Sequence, residues 1–308
     1  MNVLKKLVDK AASTPALDKP AERVADTVEA VMAGQPNREV VENTLHGTWL
    51  GHPLHPVLTD LPIGAWTLAG VMDAADMLAG NGRSSATPAI AFGLVASLPT
   101  ASAGVMDWRH GGTERKRVGV AHAALNGGAL ALYTASLLLR PTHVGLARLL
   151  GFGGLGLVSA SAYLGGHLIS NMGMGVKHES PATPPAGPAA ASLDGELAEN
   201  TPRRVELQGY PVTLVRHNGR LFALADVCPH MGCSLSNGSV SGDALMCACH
   251  GSTFALEDGR VLKGPSAFPV RAFRASGEGA AVTISPPDAP GQPAIGGPDT
   301  SDGAAQRE

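Results

Sequence analysis

The sequence predicts a chain built for two solvents: an α-helical transmembrane bundle of about four spans, followed by a small all-β domain of antiparallel sheet. Three observations carry this reading. Between Leu54 and Ser170 charged residues are scarce, and Ala, Gly, Leu and Val dominate. Beyond Arg203, short alternating runs such as VELQG, VTLVRHNG, LFALADV, FPVRAFRAS and AAVTIS are broken by Gly and Asn-Gly turns, the pattern of short half-buried strands. All four cysteines fall between Cys228 and Cys249, each close to a histidine, a crowding that argues for a metal rather than a scattered disulfide framework.

Residues 1–50 read as a polar helical leader. Val24, Val28 and Val31 recur at helical spacing and predict a short amphipathic helix ahead of the membrane, packed loosely on the bundle. Residues 51–176 hold the bundle. Ala86 to Met106, Val118 to Leu139 and Leu149 to Ser170 are free of charge, and each has roughly the ~20 residues that cross a bilayer as a helix. Pro56 to Ala79 is the remaining span, interrupted by Asp60, Asp73 and Asp76. Gly127, Gly128, Gly153, Gly154 and Gly156 are expected to let helices approach closely in lipid. Residues 177–202, with PATPPAGPAAAS, read as a mobile linker. Residues 203–285 form the β domain, and 286–308, rich in Pro, Gly and Asp, a disordered tail.

Composition excludes one class of partner. A net charge of -3 supplies no basic field, and no stacking platform of aromatics and arginines stands out, so nucleic acid is not expected. A chain 44% hydrophobic and only 16% charged suits a lipid partner instead. The N-terminal MNVLKKLVDKAASTP has no apolar core of signal-peptide length and no twin-arginine pair, so no export signal is expected.

The metal-ligand candidates form two short loops. Cys228-Pro-His230-Met-Gly-Cys233 precedes Cys247-Ala-Cys249-His250-Gly-Ser252, so each loop offers one thiolate and one imidazole at spacings of two and three. That set matches a [2Fe-2S] centre in which two histidines replace two cysteines on one iron. A Cys2His2 zinc site is the competing assignment; it more often spaces its cysteines by two residues and carries its histidines on a helix, whereas these loops are studded with Gly and Pro and flanked by strands.

On these residues the segment 203–285 resembles the Rieske iron-sulfur family, with CPHMGC and CACHGS as its two cluster loops. The resemblance implies that Cys228 and Cys247 hold the inner iron, and His230 and His250 the outer one with their remaining nitrogens turned to solvent. It also implies that Cys233 and Cys249 occupy the positions of a loop-to-loop disulfide, and that Gly264-Pro265-Ser266 is a third loop covering the cluster. Ser252 matches a hydroxyl that bonds a bridging sulfide in high-potential members. Two positions later those members carry tyrosine and this chain has Phe254, so one donor is missing and an intermediate reduction potential is expected.

Polar residues of the bundle gather on one membrane side. With successive spans antiparallel, His52, His55, Asp60, Asp107, His122 and His167 all fall on the side from which the β domain emerges. They are candidates for a haem b or quinone site, with His122 and His167 as axial ligands; a structural hydrogen-bond network is the alternative. GHPLHPVLTDLPIGAW and AYLGGHLI resemble a functionally uncharacterised family of four-span bacterial membrane proteins over roughly residues 46–176. Arg38, Arg109, Arg115, Lys116, Arg117 and Lys177 lie near the terminal side, against Arg83, Arg140 and Arg148 on the other, which places the Rieske domain on the cytoplasmic face of a bacterial cytoplasmic membrane. The expected function is one-electron transfer, as an oxidoreductase or electron-transfer component, between redox proteins or quinol; the alternative is a transporter or redox sensor regulated by the Rieske head. A ring-hydroxylating oxygenase is disfavoured, because no large mononuclear-iron domain follows.

Overall fold

The computed structural model of the protein describes residues 3–82, 84–278 and 281–286. Arg83 and nearly all of the expected tail lie outside the described residues. Seven helices precede the sheet domain: α1 Val3–Ala12, α2 Asp18–Ala33, α3 Arg38–His46, α4 Leu54–Leu78, α5 Thr87–Trp108, α6 Thr113–Leu139 and α7 Val144–Ser170. The last four are the long ones. Among the described residues two of them, α5 and α7, are long and apolar enough by composition to cross a membrane.

The bundle is two antiparallel hairpins, α4 with α5 and α6 with α7, joined by the short turn at residues 109–112. Its centre is a stacked pair, Trp66 on Tyr133, with ring centroids 4.5 Å apart. Glycine makes that pair possible: a Cβ at Gly93 would come within 2.3 Å of the Trp66 ring, and one at Gly154 within 2.9 Å of Tyr133. Gly127 and Gly156 face open space and play no such part.

The leader departs from its expected form. It holds three helices, and α1 buries Val8 and Ala11 against Val118, Leu164 and Leu168. Arg117 grips Asp18 through two hydrogen bonds of 2.6 and 2.7 Å. In α2 the buried positions are Ala21 and Met32, while Val24 and Val31 are exposed. The small and flexible side chains, not the valines, fit the face offered by the bundle.

The β domain has two sheets. Strands β1 Ala189–Ser192, β2 Arg203–Leu207, β3 Tyr210–His217, β4 Arg220–Ala225, β9 Ala272–Glu278 and β10 Ala281–Ser285 pair in the order β1-β10-β9-β4-β3-β2. A smaller sheet runs β5 Ser239–Ser241, β6 Ala244–Met246, β7 Thr253–Ala255 and β8 Val261–Lys263, all neighbours antiparallel. The larger sheet begins inside the segment read as linker: Ala189–Ser192 zips onto β10, and Leu193 and Leu197 enter the core. An edge strand needs only backbone groups facing a partner, so AAAS can pair without any β-favouring side chain.

Candidate cluster site

Two loops of matching geometry hold the cysteines. The first follows β4 and the second joins β6 to β7. In each, the leading cysteine carbonyl accepts from the amide four residues on, Gly232 to Cys228 at 2.9 Å and Gly251 to Cys247 at 3.0 Å. Its own amide donates five residues on, Cys228 to Cys233 at 2.7 Å and Cys247 to Ser252 at 2.8 Å. Both glycines sit in the left-handed region, at φ 81° and 77°, which side-chain-bearing residues rarely adopt. Amides at the second and third positions, His230 and Met231 in one loop and Cys249 and His250 in the other, point at the sulfurs and favour thiolates there.

Cys228 and Cys247 are free, buried and within hydrogen-bonding reach of each other. That shared bond splits their acidities, Cys247 down to about 6 and Cys228 well up. Cys233 and Cys249 are joined in a disulfide that ties the two loops together. Although the sulfurs of Cys233, Cys247 and Cys249 lie within 4.8 Å of one another, the bridged pair has no thiolate to give, so the pair free to bind metal is Cys228 and Cys247.

The imidazoles lie beside them, the rings of His230 and His250 being 5.0 Å apart and edge-to-face. His230 Nδ1 is buried without a hydrogen-bond partner. An orphaned buried nitrogen costs folding energy unless something coordinates it. Burial first, and then His250, push His230 down to about 3, so it offers a neutral ring. Two buried thiols plus this orphaned nitrogen fit a [2Fe-2S] group bound by two sulfurs and two imidazoles.

Support comes from behind. Buried Asp226 accepts from Thr213 Oγ1 at 2.5 Å, Ser234 Oγ at 2.6 Å and the Ser236 amide at 2.8 Å, anchoring the first loop. Burial alone would raise its pKa; those bonds outweigh it and hold the carboxyl below its usual range. Ser252, fully buried, accepts from the Ser266 amide at 3.0 Å and so pins the third loop, leaving its own hydroxyl hydrogen to donate. Phe254 is fully buried in the core.

The histidine edge keeps part of its expected exposure, since His230 and His250 are each half-buried. It also meets the helical domain, because the head sits on the end of the bundle where α5 ends and α6 begins. Asn43 of α3 donates to Leu262 O at 3.2 Å and accepts from the Gly264 amide at 2.9 Å. Glycine at 264 lets His46 approach closely, since a Cβ there would stand 3.1 Å from the His46 ring, a tight contact. His46 itself is held by Asp107 at 2.7 Å. His110, in the α5–α6 turn, lies 5.8 Å from His230 and 5.5 Å from His250 between ring centroids. Burial, and then Arg109, push His110 down to about 2. From the tether, the His178 amide donates to Pro229 O at 3.0 Å.

Asp107 is therefore drawn to the junction, whereas His52, His55 and His122 are occupied locally. His122 Nδ1 donates to Ser161 O at 2.9 Å and its Nε2 accepts from Asn126 Nδ2 at 3.0 Å, so neither ring nitrogen is open to iron, which removes the basis for a haem between His122 and His167. His167 is half-buried on α7. His55 donates to Thr100 O at 2.8 Å and His52 to Pro53 O at 3.0 Å, while Asp60 is exposed on the flank of α4. Beside His230 a cleft lined by Pro53, Asp107, Met174 and Pro265 holds about 30 Å³, room for a water or two and too small for a quinone ring.

His46 and His110 were not singled out by sequence reasoning. The available signal was position: both lie within a few residues of groups placed on the head side, His110 directly beside Arg109 at a Gly-Gly break.

Comparison with known proteins agrees with this geometry. The Rieske [2Fe-2S] domain model matches residues 188–274, and the model of a predicted membrane protein family, DUF2231, matches residues 51–178. The cytochrome b6-f complex iron-sulfur subunit of Chlorobaculum tepidum is 27% identical over 99 residues, 32% of this chain and 51% of that protein. The ferredoxin component of biphenyl 2,3-dioxygenase from Rhodococcus jostii is 30% identical over 90 residues, 29% of this chain and 84% of its own length. Among solved structures, the ferredoxin of carbazole 1,9a-dioxygenase from Nocardioides aromaticivorans aligns over 33% of this chain and all of its own, at 24% identity and a TM-score of 0.30. The chain spans about half the length, or less, of the cytochrome b6-f subunits it matches. With two buried thiols, two imidazoles and a relative covered over most of its length, the chain belongs to the Rieske [2Fe-2S] family, its Rieske domain following a segment that matches the predicted membrane protein family DUF2231.

Proposed function

We propose that the protein is a membrane-anchored one-electron carrier whose cluster is held by Cys228, Cys247, His230 and His250. The observation that carries this is the pair of matched loops, each presenting one thiol or thiolate and one imidazole at the same place, with His230 Nδ1 buried and partnerless. Bound there, a [2Fe-2S] group supplies a one-electron couple. The residues fix its surroundings: backbone amides favour the thiolates, the Cys233–Cys249 bridge and Asp226 hold the loops, and Ser252 offers a hydroxyl. Arg115 and Lys116 stand close enough to act electrostatically on His230 and His250, and positive charge there favours the reduced state.

All four long helices span the membrane in this reading. Each leaves large apolar side chains exposed, among them Val71 on α4, Val95 on α5, Leu138 on α6 and Leu149 on α7, as lipid-facing surfaces do. Exposed Trp49, just ahead of α4, suits the interface. The excess of basic residues at the head end supports a head on the cytoplasmic side of a bacterial membrane. Quinol or haem, as membrane-side donor or acceptor, belongs to a separate component, given the engaged nitrogens of His122 and the small cleft by His230. Anaerobic reconstitution tests the core of the proposal: a brown protein with a dithionite-induced paramagnetic signal, lost in Cys228→Ser, supports it, and a colourless protein refutes it.

A second reading, a head that regulates the bundle, is favoured by the bonds from Asn43 to the third loop, which couple cluster site to helices. Solute flux through the bundle that responds to reduction of the head would support it.

A further inference from the structure

Three imidazoles meet at the junction, and only two are needed for the cluster. His110 stands edge-on to both His230 and His250, at 5.8 and 5.5 Å between centroids. It is clamped. Arg109 Nε donates to His110 Nε2 at 3.1 Å, Arg109 Nη2 donates to Glu42 at 2.7 Å, and Arg109 Nη1 to Glu29 at 3.1 Å. Arg109 and Glu42 are both buried, and Arg38 braces Glu42 from the other side at 2.9 Å. A guanidinium does not give up its proton, so His110 Nε2 must accept and the ring proton sits on Nδ1, a single tautomer in a single orientation. On the far side His46 lies 5.8 Å from His110, wedged by Asp107 beneath Gly264. What stays open is the cleft beside His230, wide enough for water alone.

Such a clamp is expensive to build if His110 were filler, because it spends a buried Arg–Glu pair on holding one ring. We propose that His110 is a positioning residue that covers the histidine edge of the cluster site while the head is docked, shutting out soluble redox partners, with Arg109 and Glu42 fixing it there. The inference rests on the cluster reading and adds who can reach the cluster. The docked head exchanges electrons through the helical domain or after release from it, not with a freely diffusing solute.

The test uses the full-length protein, reconstituted and reduced with dithionite, then mixed with ferricyanide as a small soluble oxidant. His110→Ala should oxidise severalfold faster than the parent protein and show deeper deuterium modulation of the paramagnetic signal in heavy water. His110→Phe, which refills the space, should return both readouts toward the parent, and His143→Ala at the opposite end should change neither. The charge-neutral double variant Arg109→Gln/Glu42→Gln frees His110 without removing it and should lie between. Parent and His110→Ala oxidised at equal rates, or His110→Phe indistinguishable from His110→Ala, would overturn the cap. Absence of the paramagnetic signal from every protein, parent included, would sink the cluster assignment instead.

Discussion

The two ends of the helical domain handle buried charge in opposite ways. At the end away from the head, Asp73 receives two bonds from Arg140, at 2.9 and 2.6 Å, and Asp76 accepts from the Ser85 amide and hydroxyl at 3.0 and 2.7 Å. Arg148 lies 3.7 Å from each carboxylate and donates to Asn81 O, and Arg140 also reaches Ser84. Among the described residues that cluster is built of contacts within the helical domain. At the head end Glu42 and Arg109 also pair, but the chain of contacts continues through His110 to the rings of another domain. Closed networks in apolar surroundings hold helices together; a network that ends on an aimed side chain points to function.

Breaking the far end is expected to cost most. Asp73→Ala leaves Arg140 buried without its carboxylate, a loss of about 4 kcal/mol, measurable as earlier unfolding of the helical domain in detergent while the visible spectrum of the head is unchanged. Asp226→Ala, within the head, strands two hydroxyls and an amide and should cost about 3 kcal/mol, read as lower chemical stability and poorer cluster retention. If both variants damaged the same domain, the separation of the two would be wrong.

Much of this was legible in sequence and some was not. The Rieske-like loops were, because the spacing of Cys228, His230, Cys247 and His250 is a local property of two short segments. The junction was not: His46, Asn43 and Gly264 are 200 residues and more apart in places, and nothing in a single chain reports that α3 touches the third loop. Asp107 was placed on the correct side yet assigned to a site in the bundle, because its partner His46 lies in a segment read as loose leader. The edge strand at Ala189–Ser192 was hidden by its composition, which matches a linker's.

The head end should yield at smaller cost and with a pH signature. Burial raises the pKa of Glu42, but Arg109 and then Arg38 outweigh it, so the folded value lies below the ordinary range. A depressed carboxyl contributes stability that is fully present above its unfolded value, near pH 4.3, and is lost as pH falls through the folded one. The junction is therefore expected to hold through neutral and mildly acid pH and to release below about pH 4; Glu42→Gln, costing about 2 kcal/mol, should remove that step. An acid titration of ferricyanide oxidation rates checks both. The smallest effect is expected at Ser252. Losing one donated bond to a cluster sulfide is worth about 1 kcal/mol, which for one electron is about 40 mV, so Ser252→Ala should lower the potential by that order in voltammetry.

The central claim, nitrogen on one iron and sulfur on the other, is tested most directly by electron spin echo spectroscopy of the dithionite-reduced full-length protein. The account predicts couplings from two imidazole nitrogens, reduced to one in His230→Cys and in His250→Cys; a paramagnetic signal with no nitrogen coupling would contradict it.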